Sequence, residues 1–203
     1  MESNNLAAVP KDKIFPASRA TIVMSPSGGR WYGHKKYGKI VDIENHAGSD
    51  GLGRGKEIML SVPAILQGSI ALRLIDCGVE VRRAYMIGAK VAYLGQGMPV
   101  TFGNDPEPKP DPKFFREAGK IFRDGFTWLI VSPWGDADNY LNCEIFSDAG
   151  LAGVDGSKAL VSIPIPVDSD HQPNVFLNLT EVCSYIAKCL DLPFRETFMT
   201  GEG

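Results

Sequence analysis

Prolines stand at 106, 108, 110 and 112 in Asn-Asp-Pro-Glu-Pro-Lys-Pro-Asp-Pro, residues 104–112. Proline fixes φ and has no N–H, so this alternation excludes a central strand or a helix interior and leaves a stiff, extended, water-facing segment. We therefore expect one compact domain over residues 18–203, with lobes 18–103 and 113–203 on either side of the proline segment. The first 17 residues are polar and broken by Pro10 and Pro16, and read as a flexible N-terminal arm that orders against a partner.

Asp111 and Pro112 close the proline segment in the manner of an N-cap and a first-turn proline. Phe115, Ala118 and Phe122 follow at helical spacing, which predicts a helix over 112–124 ended by Gly125. Pro63 and Gly78 likewise bracket an apolar helix over 63–76 that is wide enough in its apolar face to lie in the core. Asn178 and Glu181 have the spacing of a capping pair and open a helix over 179–191, whose buried face is Cys183, Ile186, Ala187 and Leu190. Between these helices, β-branched or alternating stretches predict strands at 20–24, 37–43, 79–85, 89–94, 126–131, 140–146, 158–165 and 175–177, with Gly88 as the turn of a hairpin. Residues 57–62 fit a strand or a first helical turn equally. The chain holds 22 glycines and 14 prolines, more than the roughly 12% of ordinary chains, in keeping with short elements. The expected class is α+β, a mixed or mainly antiparallel sheet with about three helices.

Several classes fall away on composition. No apolar run approaches the roughly 20 residues of a spanning helix, and the opening Met-Glu-Ser-Asn-Asn lacks the apolar stretch of a signal peptide. The four cysteines, Cys77, Cys143, Cys183 and Cys189, form no CxxC pair and no disulfide framework, so buried reduced thiols in a cytoplasm are expected. His34, His46 and His171 sit in no metal or nucleophile motif. No cofactor box is present, and the glycosylation pattern at Asn178 is explained by its capping role.

Charge is distributed unevenly. Residues 1–103 carry 13 Lys and Arg against 8 Asp and Glu, residues 104–203 carry 8 against 16, and the resulting +5 and −8 give the net −3. That polarity suits self-association or an anionic partner on one side, although solvated charge explains it as simply.

Three stretches could carry chemistry. Arg30, Trp31, Tyr32, Lys35, Lys36 and Tyr37, with His34 and Lys39, interleave cations with aromatic rings, the composition of a loop that binds single-stranded nucleic acid through phosphate contacts and base stacking. Core packing of the rings is the competing explanation. Gly51, Gly53, Arg54, Gly55 and Lys56, in the glycine-rich segment 48–56, could cradle a phosphate, but the spacing matches neither the P-loop nor GxGxxG and favours a surface loop. Asp136 and Asp138, after the strand at 126–131, could share a divalent cation with help from Glu144 or Asp148, while ordinary turn chemistry accounts for them more simply.

With no catalytic constellation in view, the leading expectation is a binding or assembly protein acting through surface contacts with a protein partner or a second copy, and with no membrane role. The alternatives are a single-stranded nucleic-acid-binding module built on 30–39, and an enzyme acting on a phosphorylated or nucleotide ligand held at 48–56.

Overall fold

In a computed structural model the described residues are 13–25, 29–40, 58–96, 115–131, 143–151 and 175–201. The first described element is a strand: β1 (Ile14–Pro16) pairs antiparallel with β2 (Met59–Ser61), with Phe15 opposite Leu60. The end of the expected arm is thus tied into a sheet, and residues 1–12 lie outside the described residues. Pro16 then caps α1 (Ala17–Met24), and α2 (Gly29–Lys36) comes next.

The strand expected at 20–24 is instead the body of α1. Ala17, Ala20, Thr21 and Met24 recur at helical spacing on a buried face against α3 (Val62–Asp76), and tertiary packing outweighs the β preference of Thr21-Ile22-Val23. Thr21 Oγ1 meets its own hydrogen-bonding need by donating to Ala17 O at 2.8 Å.

Helix α3 is built as its sequence predicts. Ser61 Oγ accepts from Ala64 N at 3.3 Å, proline occupies the first turn, and nearly every residue from Val62 to Leu72 is buried. Gly78 takes φ +91° as Val79 N donates to Leu74 O at 3.0 Å, which closes the helix.

The hairpin expected over 79–94 is a single helix, α4 (Val81–Tyr93). Glu80 decides the matter: its two carboxylate oxygens accept from Arg82 N and Arg83 N at 2.9 and 2.8 Å and satisfy the first turn. Gly88 is no bend. It is buried against α3, where an added Cβ would stand 2.6 Å from Gln67 O, so the missing side chain lets the two helices approach closely.

Three antiparallel strands form the second sheet in the order β4 (Cys143–Ser147), β3 (Thr127–Val131), β5 (Val175–Asn178), with Leu129 opposite both Ile145 and Leu177. The apolar run at 126–131 is the central strand, as expected from its composition. Asn178 Oδ1 accepts from Glu181 N at 3.2 Å and opens α5 (Leu179–Leu190), which ends at Asp191 with φ 56°. Beyond Pro193 lies α6 (Phe194–Phe198).

The helix expected over 112–124 does not form over its described part, residues 115–124. Phe115, Ile121 and Phe122 are buried as the spacing implied, but Arg116 makes an antiparallel bridge with Gln96, and Ile121 a parallel one with Met199. Gly119 at φ +73° is incompatible with a right-handed helix. The strand expected at 37–43 is likewise replaced by a turn over 37–38, residues 41–43 lying outside the described ones, as does the strand expected at 158–165. The α+β class with antiparallel sheets therefore stands, with six helices rather than about three among the described residues. Buried side chains from α1, α3 and α4 and from β3 and α5 belong to one apolar cluster, in which Leu66, Ile87, Leu129 and Ile186 take part. No helix among the described residues is long and apolar enough to cross a membrane.

Candidate nucleic-acid interface

The basic and aromatic stretch expected to be a loop is a helix. α2 carries no acidic residue, and its last turn is His34-Lys35-Lys36, with the two lysines set where the helix dipole favours cations. It closes on Gly38, at φ +64°, with Lys39 N donating to His34 O at 3.0 Å and Gly38 N to Lys35 O at 3.1 Å.

One face of α2 fixes it to the molecule. Trp31 is only 3% exposed and belongs to the core. His34 Nδ1 lies 3.0 Å from the hydroxyl of Tyr85 on α4, and Arg30 makes an ion pair with Asp76 at the end of α3. Burial, then the positive charges of Arg30 and Lys39, hold the His34 pKa below its ordinary 6.5. Burial also raises the Tyr85 hydroxyl well above its ordinary value, so the bond joins two neutral groups at neutral pH.

The other face is open. Tyr32 is 41% exposed and Tyr37, just past the helix end, 72%. Lys36 is exposed with Nζ 5.9 Å from the Tyr37 ring centroid, and the half-buried Lys35 places Nζ 5.4 Å over the Trp31 ring. At Gly29 and Gly33 an added Cβ would meet nothing within 4 Å among the described residues, which leave the backbone of this face approachable. Tyr32, Lys36 and Tyr37 thus line an accessible surface with the half-buried Lys35 at its edge, whereas Trp31 anchors the helix in the core and Arg30 is engaged with Asp76.

Few of the remaining candidate residues are among the described ones. Gly51, Gly53, Arg54, Gly55 and Lys56 lie outside the described residues, as do Asp136, Asp138, His46 and His171. Glu144 is exposed on β4, and Asp148 accepts from Phe126 N at 2.7 Å and Trp128 Nε1 at 3.4 Å. Among the described residues no three His, Cys, Asp or Glu side chains gather as metal ligands.

A second feature is invisible in the sequence. A depression of about 380 Å³ is lined by Lys90, Gly95, Gln96, Arg116, Cys143, Glu144 and Ile145. Arg116, 1% exposed, donates through Nη1 to the carbonyls of Val91, Glu117 and Lys120 at 2.9–3.1 Å and through Nη2 to Leu94 O at 2.6 Å. Two of these, Val91 O and Leu94 O, belong to the C-terminal end of α4, so the guanidinium caps that helix from below. The lining residues come from three separate stretches of chain, and no local motif signals them.

Comparison with protein-family models finds no match for this chain, and neither does comparison with curated proteins.

Proposed function

We propose that this chain is a nucleic-acid-binding protein that presents α2 to a double helix. One observation carries the reading: α2, the second of two consecutive short helices, is packed inward through Trp31 and His34, and its open side offers Tyr32, Lys36 and Tyr37, with the half-buried Lys35 at its edge and no carboxylate in the sequence from residue 29 to 40. An eight-residue helix is about 12 Å long and 10–12 Å wide, dimensions that a major groove of about 12 Å accepts. In helix-turn-helix proteins the second helix of the pair enters the groove, with cations meeting phosphates and side chains meeting base edges, and α2 is proposed to act in that way. A rigid helix suits a duplex better than the single strand expected from a loop, because splayed, unstacked bases are tracked more readily by an irregular, pliable segment.

The four cysteines are free thiols, which supports a reducing, cytoplasmic setting for this role. The test is fluorescence anisotropy with a labelled mixed-sequence duplex of about 20 base pairs, long enough for two helical turns, and with the single strand of the same length. The duplex is expected to bind more tightly, and the paired change Lys35→Ala and Lys36→Ala to weaken it at least tenfold. Preference for the single strand, or indifference to the double change, would remove this reading.

A second reading, assembly with another copy, is supported by the exposed Phe176 of β5, which shares one face of the second sheet with the partly exposed Trp128 and Phe146, the buried Ile130 and the exposed Glu144. Sedimentation velocity over a concentration series distinguishes a monomer from a self-associating chain.

A further inference from the structure

We propose that the depression between the end of α4 and the start of β4 binds a small anion through Lys90 and Arg116, either an organic carboxylate or a phosphate. Its volume, about 380 Å³, falls at the small end of ligand sites. Its charge is the telling property. Lys90 Nζ donates to Cys143 O at 3.3 Å and sits 3.6 Å from Cys143 Sγ, and Arg116 donates to four backbone carbonyls. Among the described residues neither cation bonds a carboxylate, and Arg116 Nε has no acceptor at all. Buried arginines ordinarily have an anionic partner, since carbonyl dipoles alone replace only part of the lost hydration.

The neighbouring groups do not supply that anion. Burial raises the Cys143 thiol pKa despite Lys90 and Arg83 nearby, so this side chain stays neutral. Burial lowers Arg116 to about 10, the sign of a cation without full compensation. Glu144 borders the rim, but its side chain is exposed and its β4 neighbours Cys143 and Ile145 are the residues that turn inward. Gln96 Nε2 donates to Ile145 O at 2.8 Å and ties the wall together. Ile145, Gly95 and the thiol add an apolar side, which suits an anion carrying a short carbon skeleton.

This site stands apart from α2 and is tested without nucleic acid. Calorimetric titration of the full chain with inorganic phosphate and, separately, with succinate should give saturable one-site binding to one of them. Heat from phosphate alone identifies a phosphate site, and heat from succinate a carboxylate site. Lys90→Gln should weaken binding at least about tenfold, as loss of one charge-assisted bond implies, and Lys90→Arg should retain it. Arg116 also caps α4, so its substitution would disturb the fold together with the site. Absence of saturable binding by both anions up to about 10 mM, or undiminished binding in Lys90→Gln, would overturn the proposal. So would loss of binding in the Lys35→Ala and Lys36→Ala variant, which would put the anion on α2.

Discussion

His34 on α2 and Tyr85 on α4 share a hydrogen bond of 3.0 Å, their rings meeting edge to face at 85°, and this contact fastens the exposed helix to the core. The surroundings of the ring oppose its protonation. With its pKa held below the ordinary 6.5 by burial and by Arg30 and Lys39, folded His34 binds fewer protons than unfolded His34 in mildly acidic solution. Stability from this group is therefore complete above about pH 6.5 and is lost as the pH falls below it. Urea unfolding across pH 5–7 should show the decline, and His34→Gln should flatten it. An equal decline in the variant would mean that other groups are responsible.

Gly88→Ala tests the α3 and α4 contact. Alanine is the better helix former by about 1 kcal/mol, yet its Cβ would stand 2.6 Å from Gln67 O, a backbone atom of α3 that can yield only if the helix moves. Overpacking costs about 1–3 kcal/mol, so the variant should be less stable than the parent in urea. A gain in stability would show that the two helices separate freely.

Arg116→Leu removes four donated bonds at once, including those to the carbonyls of Lys120 and of Leu94 at the end of α4. With buried bonds from a charged donor each worth about 1.5–3 kcal/mol and the losses overlapping, a fall of at least about 3 kcal/mol is expected from denaturant midpoints. Lysine should not rescue it, because an ammonium cannot span carbonyls that the planar guanidinium reaches with two nitrogens.

Asn178→Ala removes the side chain that accepts from Glu181 N at the start of α5. A cap of this kind is worth about 1 kcal/mol. The melting temperature should fall, while nucleic-acid binding below that temperature should match the parent, since α5 contributes nothing to the open face of α2. Weakened binding at full folding would mean that the contact surface is wider than α2.

The helices legible in the sequence were those with punctuation: Pro63 and Gly78 around α3, Asn178 and Glu181 at the head of α5. The central strand β3 was legible because a short, continuous apolar run is what burial on both faces of a sheet demands. α1 and α4 were not, because Thr21-Ile22-Val23 and Val79 to Tyr85 fit strand patterns locally and only their packing against α3, together with the Glu80 cap, selects a helix. The opposite error arose at 115–124. Spacing there correctly marked Phe115, Ile121 and Phe122 as core, but burial is also available to an irregular segment, and Gly119 makes it one. Composition found the basic and aromatic surface at 30–37 without its conformation, and with Trp31 on the wrong side of it. The depression beside Lys90 could not be found that way, since Lys90 and Cys143 are 53 residues apart and meet only in the folded chain.

The salt dependence of duplex binding measures the central claim most directly. Each phosphate neutralised by a lysine or arginine contributes about −0.9 to the slope of log affinity against log salt. The parent should bind the duplex with a steep slope, and Lys35→Ala with Lys36→Ala should both weaken binding and reduce that slope by about 2. Failure of the parent to bind at low salt, or an identical slope and affinity in the double variant, would contradict the assignment of α2 as the contact element.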